Sequence, residues 1–180
     1  MKRENRTKNT FPVALCSLLW GTFILFLTVT DQWTKNLAEA YLKASEEIVL
    51  IPGVLKLCYL ENRGMAFGMF QGRQALFIVL CLVFFAGLFY LFVRIPKNRY
   101  YLPLLIAGAV LAAGALGNLI DRVMLGYVVD FIYISLIDFP VFNVADIFVV
   151  CGGIMLVVLA GFVYREQDFD FISIKKGKNL

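Results

Sequence analysis

Four long stretches of the chain carry no charged residue: Phe11–Thr30, Gln74–Val93, Tyr100–Ile120 and Ile147–Tyr164. The last can be extended back through Asp146 to Phe139. Each is about the 20 residues that an α-helix needs to cross the hydrocarbon core of a bilayer. The pattern predicts an all-α membrane protein, one integral domain over 1–180, with four transmembrane helices at approximately 11–31, 74–93, 100–121 and 140–164.

The connections differ in character. Between the first two spans, "EEIVLIPGVLKLCYLENRG" alternates and turns at Pro52-Gly53, which predicts two short strands. A small β-sheet subdomain is therefore expected at approximately 45–70. "NRGMAFGMF", Asn62 to Phe70, is apolar after a polar start, which suits the headgroup region, and its glycines allow a ligand to approach the backbone. The apolar connection "VMLGYVVDFIYISLID", approximately 124–138, is too short to cross and return. It is expected to rest on the interface as a short amphipathic helix, covering nearby polar groups as a lid. The tail at 165–180 is polar and basic.

Composition agrees with lipid as the solvent: 61% of the 180 residues are hydrophobic and the mean hydropathy is +0.79, against about 45–50% apolar in soluble domains. The net charge of +4 comes from short basic clusters between apolar runs, a topology signal and not a nucleic-acid surface. Eleven of the 17 lysines and arginines fall in the N-terminus, the second connection and the tail, and six on the other side. By the positive-inside rule both termini are expected in the cytoplasm. A cleaved signal peptide fits poorly, because the first run is too long, and "VALC" has the large Leu15 before its cysteine.

The absence of histidine removes Ser-His and Cys-His nucleophiles and histidine-ligated zinc. The four cysteines lack metal-ligand spacing, and no disulfide framework, metal or cofactor is expected.

Aspartates offer more. At about 1.5 Å per helical residue, Asp146 lies about 28 Å from Arg165, Asp121 about 33 Å from Arg99 and Asp31 about 34 Å from Lys8. The hydrocarbon is about 30 Å thick, so three helices bring an acid to the same outer boundary, with Asp130 close by. Asp31 can pair with Lys35, and Asp121 with Arg122. Asp130 and Asp146 are flanked by apolar residues with no adjacent cation, and such groups are functional candidates by default. "GNLID" and "FNVAD" both contain N-x-x-D, which on a helix sets an amide beside a carboxylate. Gly114, Gly117 and Asp121 share one face of the third span and invite close packing.

Two nearby carboxylates that share a proton divide their roles: one takes a proton from water, the other donates to a carbonyl oxygen. Sequence physics leaves the choice of pair open among the four aspartates. It also leaves open a proton- or cation-coupled small transporter, although transporter sites favour the midplane of repeated folds, and a structural four-helix scaffold.

"DQWTK" (31–35), "NRGMAFG" (62–68), "GNLIDR" (117–122), "GYVVDF" (126–131) and "FNVAD" (142–146) occur in that order. Together they closely resemble the lipoprotein signal peptidases, or signal peptidase II, of bacteria. The resemblance implies a four-helix aspartyl endopeptidase of the bacterial cytoplasmic membrane, with an extramembrane sheet and an interfacial helix. It implies cleavage of prolipoproteins just before a cysteine that carries diacylglycerol, and inhibition by the cyclic peptide globomycin. Membrane lipid is an implied partner, and a monomer is expected. The implied catalytic pair is Asp130 and Asp146. Asn62, Gly64, Asn118, Arg122 and Asn143 match substrate-binding positions, and Asp31, Lys35 and Asp121 match structural polar positions.

Overall fold

A computed structural model describes residues 10–44, 47–64 and 74–172. In chain order the elements are α1 (Val13–Leu42), β1 (Ile48–Ile51), β2 (Leu55–Asn62), α2 (Gln74–Arg94), α3 (Leu102–Met124), β3 (Val128–Ile134) and α4 (Val144–Val158). α4 continues as a π-helical turn over Leu159–Val163. All four helices are long and apolar enough to cross a membrane.

α3 is the central helix. Its buried positions are mostly small: Ala107, Ala109, Ala112, Ala113, Gly114 and Gly117. Small residues let neighbouring backbones come close where lipid offers no hydrophobic drive for helix association. A Cβ added at Gly114 would collide with the Ala145 carbonyl and Val149 on α4, and one at Gly117 with the Asp31 carboxylate on α1. Both glycines are thus required by close approach. α1, α2 and α4 pack on α3 and turn rows of large apolar side chains outward, among them Leu25, Phe26, Val83, Phe89, Val157 and Phe162.

Several boundaries depart from expectation. α1 does not end near residue 31 but runs on to Leu42. Asp31 and Lys35 pair with each other inside the helix at 3.0 Å, so their charges need no helix end in water. The extension buries Ala38 and Leu42 against Val129 and Phe131 of β3.

The segment expected as an interfacial helix at 124–138 is corrected: its centre, Val128–Ile134, is the strand β3, and only Ser135–Ile137 forms a short 3-10 turn. The β-branched and aromatic run "VVDFIYI" pairs antiparallel with β2, with Asp130 opposite Leu60 and Val128 opposite Asn62. A two-stranded hairpin alone is marginal in water, and this third strand completes a sheet of order β1-β2-β3. The subdomain expected at 45–70 therefore borrows a strand from a distant part of the chain. Residues 65–70, the bulk of "NRGMAFGMF", lie outside the described residues.

α4 begins at Val144, not near 140. Phe142 is extended and bridges Ile132, exchanging backbone hydrogen bonds with it at 2.8 and 3.0 Å. At the opposite end of the bundle Thr10 bridges Asn98. The first residues of the tail fold back there, with the Tyr101 hydroxyl donating to the Asp168 carbonyl at 2.7 Å and the Tyr164 hydroxyl to the Tyr100 carbonyl at 2.9 Å. Thr10, the described start of the tail and the α2–α3 connection thus share one end of the molecule, and the sheet occupies the other.

Gly117→Val should force α3 away from α1 and α4 and destabilise the fold by about 1–3 kcal/mol or more. Gly87→Ala, where an added Cβ meets nothing within 4 Å, should not. Thermal unfolding of the purified variants in detergent checks the contrast.

Candidate active site

The polar side chains gathered at the sheet end form two joined clusters. The first centres on Lys35, which is 3% exposed. Its ammonium reaches Asp31 Oδ2 at 3.0 Å, Asp121 Oδ2 at 2.9 Å and Asn118 Oδ1 at 3.0 Å. Three acceptors match its three protons. Each carboxylate also accepts from a backbone amide. Asp31 Oδ1 accepts from the Ala145 amide at 2.8 Å, and Asp121 Oδ2 from the Val129 amide at 3.1 Å. The start of α4 and the start of β3 are thereby tied to α1 and α3.

Asp121 was expected to pair with Arg122, yet it meets Lys35 from another helix. Arg122 instead sets its guanidinium 5.0 Å from the Phe77 ring centre and donates to the Asn118 carbonyl at 3.2 Å. Gln32 had no predicted role. Its amide donates to Asp121 Oδ1 at 2.8 Å and to the Gly117 carbonyl at 3.2 Å. The available signal was its position three residues before Lys35, on the same helical face.

The second cluster holds Asp130 and Asp146. Asn143 is the N-cap of α4 and forms a reciprocal capping box with Asp146: its Oδ1 accepts from the Asp146 amide at 3.0 Å, and its own amide donates to Asp146 Oδ2 at 3.1 Å. Asn143 and Asp146 therefore meet because a helix starts between them, and not because both lie on one helical face. With Oδ1 committed to the cap, Asn143 Nδ2 must point the other way, and it donates to Asp130 Oδ1 at 2.6 Å and Asn118 Oδ1 at 3.1 Å. Asn118 Oδ1 is held by Lys35, so Asn118 Nδ2 faces Asp146 Oδ1 at 2.8 Å. Asn62 Nδ2 donates to Asp130 Oδ2 at 2.8 Å, while its own Oδ1 accepts from the amide of buried Gly64 at 3.0 Å. Donor-only lysine at one end and a helix cap at the other leave each amide one orientation.

The structure thus brings together Asp130, Asp146, Asn62, Asn118 and Asn143, with Asp31, Lys35 and Asp121 directly behind them. Asp130 and Asp146 are both within the reach of one asparagine. Asp130 is buried, at 2% exposure. Burial pushes its carboxyl up to about 6, and the charge of Asp146 adds to the rise, while the amides of Asn62 and Asn143 and the charge of Lys35 oppose it.

Both carboxylates line an open cavity of about 820 Å³, with Asn62, Arg63, Asn118 and Arg122 on its polar side. Glu61 also lies on that side, and the rest of the wall is apolar and includes Ile134, Ile137, Phe139, Ile147 and Val150. Sequence reasoning missed these wall residues, because nothing distinguishes them from lipid-facing positions along the chain.

The class is now defined: a multi-pass membrane protein with a bridged pair of aspartates lining a largely apolar cavity beside a small sheet. The sequence model described as signal peptidase (SPase) II matches residues 23–162. A lipoprotein signal peptidase of Streptococcus thermophilus (strain CNRZ 1066) is 42% identical over 146 residues, 81% of this chain and 92% of its own length. One from Caldanaerobacter subterraneus subsp. tengcongensis is 46% identical over 134 residues, 74% of this chain and 89% of its own. A bacterial membrane enzyme solved by the in meso method superposes with a TM-score of 0.71 at 30% identity, covering 90% of this chain and 94% of its own. The chain belongs to the signal peptidase II family, a family of proteases.

Lys35→Met should leave Asp31 and Asp121 buried without a cation and cost about 3–5 kcal/mol, read as a lowered unfolding midpoint in detergent. A second expectation concerns pH. Asp130 ionises near 3.8 when unfolded and near 6 when folded, so the native state binds the extra proton between those values. Stability from this group is therefore lost as pH rises from about 4 to about 6. The drop in unfolding midpoint between pH 4.5 and 6.5 should be smaller in Asp130→Asn than in the unsubstituted protein.

Proposed function

We propose that this chain is an aspartyl endopeptidase that removes signal peptides from prolipoproteins, cutting just before the diacylglyceryl-modified cysteine. The observation that carries the reading is the pair of carboxylates, Asp130 and Asp146, bridged by Asn143 on the wall of a largely apolar cavity. The names of the relatives support the substrate class.

The chemistry follows from the placement. Two carboxyl groups in contact with one asparagine hold one proton more readily than none. Asp130, the more buried, holds it, and Asp146 accepts hydrogen bonds from Asn118 and Asn143 as a carboxylate. A water between them gives a proton to Asp146 while its oxygen attacks the scissile carbonyl carbon. Asp130 donates its proton to the carbonyl oxygen, and a tetrahedral diol forms. Asp146 then passes its proton to the amide nitrogen, the carbon–nitrogen bond breaks, and Asp130 recovers a proton as the carboxyl group of the product forms. Atoms and protons balance without a metal or a histidine.

The remaining groups bind. Asn62, Gly64, Asn118 and Arg122 offer donors and close backbone approach to an extended peptide, and the apolar wall takes the acyl chains of the modified cysteine. Asp31, Lys35 and Asp121 hold the helices that carry the dyad. The protein works as a monomer in the cytoplasmic membrane of a bacterium. Both termini face the cytoplasm, and the sheet and dyad lie at the outer boundary, where the end of a signal peptide emerges. Globomycin, a cyclic peptide, blocks the reaction.

The test uses purified protein and a diacylglyceryl-modified prolipoprotein, read as a size shift that globomycin suppresses. Asp130→Asn and Asp146→Asn should each lower turnover by about 10³-fold or more in protein that still folds and inserts. Normal turnover by Asp130→Asn would sink the assignment.

A further inference from the structure

Asp130 has an apolar neighbour on its own sheet. In the β2–β3 ladder it lies directly opposite Leu60, and Val128 lies opposite Asn62. Directly opposed residues of an antiparallel pair share a face, with Cβ atoms about 4.5–5.5 Å apart. The hydrogen bond from Asn62 Nδ2 to Asp130 Oδ2 at 2.8 Å marks the same face independently. Leu60 therefore sets its branched side chain beside the Asp130 carboxyl.

The local backbone makes this placement. Leu57 opposes Ile132 and Leu60 opposes Asp130, so Cys58 and Tyr59 together face Phe131 alone. An unbulged continuation of the Leu57–Ile132 register would instead set Tyr59 opposite Asp130 and Glu61 opposite Val128. Bulges of this kind re-aim side chains beside active sites. Here Tyr59 goes to the cluster of Val129 and Phe131, and Glu61 to Arg63 at 2.8 Å. Asp130 is left with an aliphatic group and an amide as its neighbours on β2.

Leu60 is 43% exposed, whereas Val128 on the same face is 2% exposed. Both line the main cavity together with Asn62, so the free side of Leu60 borders cavity space. Asn62 is fixed at both ends, by Asp130 and by the Gly64 amide. Leu60, Asn62 and Val128 thus bound the space around the Asp130 carboxyl on the sheet side. In the proposed reaction Asp130 donates to the scissile carbonyl oxygen, which belongs to the last residue of the signal peptide. Reacting atoms must come within about 3–3.5 Å, which brings that residue's side chain next to Leu60.

We propose that Leu60 is a specificity-determining residue, whose side chain limits the size of the substrate residue immediately before the cut. Glycine and alanine pass it, and larger branched side chains collide with it. The proposal rests on the peptidase reading and names the group that selects among its substrates.

The test uses the purified full chain and three diacylglyceryl-modified prolipoproteins that differ only in the residue before the cysteine: glycine, alanine or leucine. The unsubstituted protein should cleave the leucine substrate at least about tenfold less efficiently, in kcat/KM, than the alanine one. Leu60→Ala should raise the leucine-to-alanine ratio at least about tenfold. Leu60→Phe should lower the alanine-to-glycine ratio. A merely structural role would change all three substrates together and leave these ratios unmoved. Unfolding midpoints in detergent identify the folded variants, and either one decides the matter if the other does not fold. An unchanged ratio in a folded variant, or equal cleavage of leucine and alanine substrates by the unsubstituted protein, overturns the proposal alone. No cleavage of any substrate by the unsubstituted protein sinks the peptidase reading, and this proposal with it.

Discussion

One buried ammonium governs the outer half of this molecule. Lys35 lies between Asp31 and Asp121 with nearly no solvent contact, and taking these charges out of water costs several kcal/mol per ion. The cost is bearable only because every partner is satisfied. Three acceptors meet the three ammonium protons, and each carboxylate uses another oxygen lone pair on a backbone amide. That completeness is also a positional constraint. Moving α1, α3, α4 or β3 by an ångström or two would leave a charge unpaired in a poorly hydrated interior. The cluster thus acts as a register pin for four elements that lipid alone would let slide.

The bridged aspartates depend on that pin. β3 carries Asp130 and begins with an amide bound to Asp121; α4 carries Asp146 and begins with an amide bound to Asp31. The two carboxylates come from a strand and a helix that share no local geometry, yet each rests on the same ion-paired base. Asn118 and Asn143 then pass direction from Lys35 and from the helix cap to the carboxylate oxygens. In the proposed reaction this leaves little reorganisation at the moment of proton transfer, which is where preorganised dipoles have their largest effect.

The two ends of the bundle use contrasting means of closure. Near the sheet, charge and amide networks hold the elements and an apolar cavity opens beside them. At the other end aromatic rings do the work. Tyr100, Tyr101, Tyr164, Phe169 and Phe171 lie with ring centres 5.1 to 6.2 Å apart, and their hydroxyls reach backbone and Asp168. Aromatic groups with polar tips suit an interface that is apolar on one side and wet on the other. The tail, which as sequence was merely polar and basic, is in part a wall of this end.

By itself the sequence determined the four spans, because crossing hydrocarbon demands uninterrupted apolar length and nothing else does. It also determined the hairpin at Pro52-Gly53, since turn chemistry is local, and the common height of the aspartates, since helical rise is constant. The ordered motifs carried the family. Only the tertiary structure decided that "VVDFIYI" is a strand, because an apolar run of seven broken by one aspartate suits an interfacial helix or a sheet edge equally until β2 lies beside it. It also decided where α1 ends, because charges at Asp31 and Lys35 read as a terminus until partners from α3 make them tolerable inside. The pairing of Lys35 with Asp121, the role of Gln32 and the apolar wall of the main cavity belong to the same group. Each depends on which helices touch, and contacts between distant segments leave no periodic trace along the chain.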